Sequence, residues 1–138
     1  AAALFPVFGD GIPPDATFTL RITDGRVARY PYNGTFAAPF TSYLGMYARS
    51  DAFRGEEPWD LHRRWVQGRD RIDMATFLNF VATTDITGGN SGSPMIDRFG
   101  RVVGVAFDGN MESLPNDFVF RTTSARTVGV HAAGILEA

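Results

Sequence analysis

Seven consecutive residues, Gly88-Gly89-Asn90-Ser91-Gly92-Ser93-Pro94, carry the strongest chemical signal in the chain, because they set one serine in a glycine-rich loop between two apolar runs. A serine hydroxyl attacks a carbonyl only when its Oγ stands clear of its own backbone and when hydrogen-bond donors already wait for the oxyanion. Glycines on both sides of Ser91 supply the φ/ψ freedom that such a turn requires. The donors in a loop of this kind are the backbone N–H groups of Ser91 and of Gly89, two residues earlier. Gly-Gly-Asn-Ser-Gly-Ser-Pro is equally the composition of a plain polar turn between strands, and both readings stand on composition alone. Order favours the chemical one. The extended run Thr76–Ala82 leads into the loop and the hairpin-forming run Met95–Val103 leads out of it, an arrangement that presents the serine at a sheet end.

Such a nucleophile needs a proton acceptor, and the chain offers only His62 and His131. His62 lies among Leu61, Arg63 and Arg64, and His131 lies in the closing segment; packing or helix capping accounts for both. They have no paired spacing, so no metal site is expected, and no cofactor motif is present. Cysteine is absent, which removes disulfides and thiolate chemistry. All thirteen basic residues are arginine, so no lysine is available as a base or for a Schiff base. The net charge of −2 and the scattered arginines give no general attraction to nucleic acid. No apolar run approaches the ~20 residues of a membrane span.

A length of 138 residues fits one domain with its own core. After a Pro/Gly-rich lead-in over Phe5–Pro14, Thr17–Thr23 alternates apolar and polar residues with period two. With Asp24-Gly25 as turn and Arg26–Tyr30 as return strand, a hairpin is predicted over 17–31. Phe40, Tyr43, Leu44 and Tyr47 fall on one helical face, with Thr41 or Ser42 as cap. A second short helix or irregular segment is predicted over Pro58–Trp65, with proline in the first turn. From Ile72 onward short strands alternate with Gly, Asn and Asp turns, including Phe118-Val119-Phe120, and Val130–Ala138 reads as a closing helix.

Asp85–Pro94, followed by Gly104-Val105-Ala106-Phe107-Asp108-Gly109-Asn110, resembles the carboxyl-terminal barrel of the bacterial serine dipeptidyl-peptidases of the dipeptidyl-peptidase 7 and 11 group. The match is specific from about Asn79 to Glu112 and weaker over the rest, including the early hairpin, the helix near Tyr43 and Gly134–Glu137. The resemblance implies a mainly β fold: one trypsin-like antiparallel barrel of a chymotrypsin-type double barrel, with one or two short helices and a short closing one. It implies a single domain over 1–138, with the other barrel and an inserted helical domain outside it. The chain begins without an initiator methionine or signal-like segment and reads as a piece of something longer; the resemblance implies a periplasmic or otherwise exported enzyme.

Carried over by the resemblance, Ser91 matches the nucleophile, and the Gly89 and Ser91 amides match the oxyanion donors. Asp108 matches a carboxylate that grips the ammonium of a peptide's free amino end. An enzyme that counts two residues must bind that end, and two extended residues span about 7 Å. Read without the family, Asp108-Gly109-Asn110 is a turn. Gly109 stands where members that prefer acidic residues carry arginine, which implies an open apolar pocket and cleavage after hydrophobic side chains. Val103–Phe107 is expected to pair antiparallel with substrate main chain. The family's catalytic histidine and aspartate belong to the other barrel, so this chain alone is expected to be inactive, with that barrel as its partner and a peptide with a free amino end as its substrate. A peptide-binding pseudo-peptidase and a trypsin-like endopeptidase are the alternatives.

Overall fold

In the computed structural model, residues 20–117 and 121–138 are described, and a five-stranded antiparallel sheet organises them. Its strands are β3 (Phe40–Ser42), β4 (Phe77–Ala82), β5 (Pro94–Ile96), β6 (Val102–Gly109) and β7 (Thr127–His131), in spatial order β3-β4-β7-β6-β5. A separate hairpin joins β1 (Tyr30–Tyr32) to β2 (Thr35–Ala37). Helices α1 (Tyr43–Ala52), α2 (Arg63–Gly68) and α3 (Ala132–Glu137) complete the regular structure of the described residues, with 3₁₀ turns at Arg69–Arg71 and Met111–Asp117. Among the described residues no helix is long and apolar enough to cross a membrane.

The core forms where small residues admit a large aromatic one. Phe80 in β4 is buried, and the space it fills lies over Gly104 in β6 and Gly129 in β7. A Cβ at Gly104 would stand 2.5 Å from the Phe80 ring, and one at Gly129 would run into Met95 Sδ. Burial of such a ring stabilises by about 2–3 kcal/mol. Phe40 and Phe77 stack at 4.6 Å between centroids, and the His131 ring meets Phe40, Phe77 and Phe80 edge-on.

Ser42 caps α1 by accepting from Gly45 N, and the helix buries Tyr43 and Tyr47 to 1% exposure. Their hydroxyls remain satisfied: Tyr43 donates to Gly134 O at 2.7 Å and Tyr47 to Trp65 O at 2.8 Å. The predicted helical face is thus half right, since Phe40 belongs to β3 and Leu44 is exposed. The second helix begins later than predicted: His62, not Pro58, sets its start, with Nδ1 accepting from Arg64 N.

The predicted hairpin over 17–31 is not formed among the described residues; 17–19 lie outside them. Residues 20–28 instead run alongside the end of β4 and the segment after it. Ala28 N donates to Val81 O, Thr83 N to Arg26 O, and Asp85 N to Thr23 Oγ1. Leu20 and Ile22, two of the apolar residues in that alternation, are 90% and 86% exposed. Gly25 serves close approach, because a Cβ there would lie 2.7 Å from Thr84 N. The real hairpin turns four residues past Arg29 at Asn33-Gly34, whose φ values of 47° and 75° are those of a type I′ turn.

The run before the serine loop is β4 and the hairpin after it is β5–β6, both as expected. The closing helix predicted from Val130 starts instead at Ala132, and Thr127–His131, not predicted as a strand, is the sheet's central one, β7. The predicted strand Phe118-Val119-Phe120 and the lead-in Phe5–Pro14 lie outside the described residues.

Candidate active site

The serine loop connects β4 to β5, and hydrogen bonds fix most of its amides. Asn90 N donates to Thr87 O at 3.2 Å, Thr87 N to Asn90 Oδ1 at 3.0 Å, and Ser93 N to Asn90 O at 3.0 Å. Gly92 N donates to Ala106 O at 2.8 Å and Ala106 N to Ser93 O at 2.9 Å, which ties the loop to β6. Gly89 and Gly92 have φ values of 87° and 92°, a region that disfavours side chains. Against this background the Gly88, Gly89 and Ser91 N–H groups donate to nothing among the described residues. Two of these, Gly89 and Ser91, are the amides the chemistry requires to be free. Ser91 is exposed, and its Oγ donates to Phe107 O at 3.1 Å.

Strand β6 changes character beside this serine. Gly104 and Val105 are paired on both sides, by β5 and by β7. A bulge between Ala106 and Asp108 follows, after which Asp108 and Gly109 pair only with Val128 and Thr127 of β7. Of the stretch Val103–Phe107 expected to pair with substrate, Gly104–Ala106 have both edges taken, Ala106 by the serine loop and β7. The open edge begins at Phe107 and continues through Asp108 to Gly109. Asp108 is exposed, with one carboxylate oxygen accepting from Gly109 N at 2.8 Å.

A cavity of about 220 Å³ opens between the loop and this edge, lined by Ile86, Ser91, Phe107, Gly109, Ser113 and Leu114 among others. Gly109 is small for a local reason: a Cβ there would collide with Ser113 Oγ and lie 3.6 Å from Ile86 Cγ2. Ser113 is held by donating its hydroxyl to Asn110 O at 2.6 Å. Asn110 in turn accepts from Arg126 N at 2.8 Å and donates to Ser124 O. Tyr30 approaches Asn110 and Glu112, and burial, aided by Glu112, pushes its phenol above the ordinary value. A larger cavity of about 390 Å³ between α1 and α2 shares no lining residue with the first.

Ser91, Phe107, Asp108 and Gly109 line this one opening, and Gly89 precedes Ser91 by two residues in the same loop. Ser113 and Leu114 were missed, and nothing in a 3₁₀ turn that follows Asn110 signals them. The two histidines serve as helix caps: His62 Nδ1 accepts from Arg64 N and His131 Nδ1 from Ala133 N at 3.1 Å. Among the described residues, no group of three or more His, Cys, Asp or Glu is arranged to hold a metal ion.

The Peptidase S46 profile matches residues 1–138. The chain belongs to the Peptidase S46 family. It is 37% identical over 134 residues to dipeptidyl-peptidase 7 of Porphyromonas gingivalis, a match covering 93% of this chain and 19% of that protein. An Asp/Glu-specific dipeptidyl-peptidase of the same organism is 31% identical over 132 residues, covering 89% of this chain and 18% of that one. The crystal structure of Porphyromonas endodontalis DPP11 with the dipeptide Arg-Glu superposes with a TM-score of 0.74 at 25% identity, covering 98% of this chain and 20% of that one. The S46 chain described here therefore spans about a fifth of the length of these relatives. Its mainly β, antiparallel architecture agrees with the barrel-like fold expected of it.

Proposed function

We propose that this chain is the serine-bearing part of an S46 dipeptidyl-peptidase, a single domain that acts with a histidine and an aspartate supplied by the rest of the parent protein. Ser91 Oγ attacks the carbonyl carbon of the second residue of a bound peptide. Its proton passes to the imidazole from the other part and then to the departing amine, while the Gly89 and Ser91 amides hold the oxyanion. Water then releases the dipeptide from the acyl-serine. The hydrogen bond from Ser91 Oγ to Phe107 O is the one that the imidazole replaces. Asp108 receives the substrate's ammonium, and the open edge from Phe107 to Gly109 pairs with its main chain.

One observation carries this reading: the Gly89 and Ser91 amides on either side of Asn90 have no acceptor among the described residues, while the Thr87, Asn90, Gly92 and Ser93 amides are engaged and Ser91 is exposed. The cavity beside Gly109 presents Ile86, Phe107 and Leu114 and holds no cation among the lining residues, which supports a hydrophobic side chain ahead of the cleaved bond. A periplasmic or otherwise exported location is part of the same proposal. The test is turnover of dipeptidyl-arylamides by the full-length parent. Activity that disappears in Ser91→Ala and on acetylation of the substrate's amino end is the expected result. Indifference to acetylation would mean an endopeptidase, and failure of a fluorophosphonate to label Ser91 in the parent would mean a pseudo-peptidase.

A further inference from the structure

The serine loop has a mechanical weakness and a remote side chain that answers it. Gly88, Gly89 and Gly92 leave peptide planes that rotate at small cost, and rotation of either plane that carries a free amide would turn an oxyanion donor away. Local opposition comes from the reciprocal pair between Thr87 and Asn90: Thr87 N to Asn90 Oδ1 at 3.0 Å and Asn90 N to Thr87 O at 3.2 Å. The Thr87 hydroxyl also donates to Asn90 Oδ1, at 3.4 Å. That hydroxyl accepts from the guanidinium of Arg21, whose Nη1 lies 2.7 Å away although Arg21 stands 66 residues earlier. One hydroxyl proton and a lone pair satisfy both bonds at once.

Arg21 holds a second point on the same segment. Its Nη2 lies 3.9 Å from Asp85 Oδ2, while Asp85 Oδ1 is enclosed with no partner among the described residues. The backbone beneath is tied as well, by Asp85 N donating to Thr23 Oγ1 at 3.1 Å. The guanidinium is thus the only cation among the described residues within ion-pair distance of this carboxylate, and it reaches the loop from outside it.

From this chain of contacts we infer that Arg21 is a positioning residue for acyl transfer: through Thr87 and Asn90 it keeps the Gly89 and Ser91 amides aimed at the reaction centre. The inference rests on the proposed role of Ser91. Oxyanion donors act on the transition state, so loosening them lowers kcat and leaves substrate binding nearly intact. Arg21 is partly exposed, so the effect falls at the low end for a charge-assisted hydrogen bond, about tenfold in kcat.

The experiment uses the full-length parent with Arg21→Gln, Arg21→Lys, Thr87→Val and the double variant R21Q/T87V. The expected result is a kcat about tenfold lower in R21Q with KM within about twofold, part of it recovered in R21K, and a double variant no worse than the poorer single one. Peptide-resolved hydrogen exchange over 84–93 is expected to quicken in R21Q. An unchanged kcat, a loss carried by KM, additive single effects, or no recovery with lysine would each overturn the inference. Should R21Q unfold, Thr87→Val decides alone, and an unchanged kcat in that variant refutes the relay. If the unaltered parent neither turns over substrate nor labels at Ser91, the proposed function fails, while the exchange comparison still decides whether Arg21 holds the loop.

Discussion

Ser113 sets the depth of the pocket beside Gly109, and its removal makes a quantitative forecast possible. In the structure a Cβ on Gly109 collides with Ser113 Oγ, so the serine's hydroxymethyl group fills the space where that wall of the 220 Å³ cavity would otherwise recede. Ser113→Gly clears that space of one carbon and one oxygen. A substrate side chain that extends into it buries roughly one further methylene, worth about 0.8 kcal/mol, which is about fourfold in kcat/KM. The measurable quantity is a ratio: kcat/KM for a dipeptidyl-arylamide ending in Met or Phe divided by that for one ending in Val, in the full-length parent. A ratio cancels any loss of active enzyme from the missing Ser113–Asn110 hydrogen bond. It is expected to rise about fourfold for S113G and to fall for Gly109→Ala, whose methyl group enters the same space, with the double variant returning toward the starting value. A ratio that stays fixed in S113G, or rises in G109A, would show that the side chain ahead of the cleaved bond does not lodge against this wall.

Other outcomes follow from the packing and the charges. Arg126 is 4% exposed and donates to the carbonyls of Ala28, Arg29, Thr122 and Ala125, so Arg126→Met, which strands those acceptors, is expected to lower unfolding stability by about 3 kcal/mol in urea titration of the parent. Tyr43→Phe leaves Gly134 O without its donor and is expected to cost about 1–2 kcal/mol by the same measurement. The Asp97 carboxyl is held below its ordinary value of 3.8, first by the backbone N–H of Arg101 and then by its side chain. A depressed value in the folded state means that the contribution is present above about pH 4 and is lost as pH falls through the folded value. The stability advantage of the parent over Asp97→Asn is therefore expected to shrink on acidification below pH 4, as followed by thermal unfolding. His131→Ala removes the cap on α3 and its aromatic contacts, so it is expected to lower Tm while leaving kcat within about twofold.

The serine loop was legible in the sequence because its determinants are local: the glycines, the serine and the two strand-forming runs are contiguous, so type and spacing carry the geometry. The same logic misled at Asp24-Gly25, where glycine answers the backbone of Thr84 and not a turn, while the true turn signal at Asn33-Gly34 passed unread. A glycine demanded by a distant backbone and one demanded by its own φ look alike in one dimension. Strand β7 was obscured differently. Thr127–His131 passes into α3 without an intervening Gly or Pro, and its Gly129 reads as a break although it exists to admit Phe80 and Met95.

What the sequence hid about the site is the set of contacts between segments far apart in the chain. Phe107 O receives the Ser91 hydroxyl from sixteen residues away, and the Arg21 guanidinium reaches Thr87 across 66. The outer edge of β6 opens past Ala106 because β5 begins only at Pro94 and the loop leaves β6 at Gly92, and a β-bulge against β7 between Ala106 and Asp108 falls at the same point, with no residue type to announce it. The loop's chemistry is therefore encoded locally and its aim is encoded elsewhere. Substitutions inside Gly88–Ser93 should abolish acyl transfer outright, whereas those at Arg21 or Ser113 should grade its rate or its choice of substrate. A graded loss at Gly89 beside a complete one at Arg21 would invert that division and place the chemistry outside the loop.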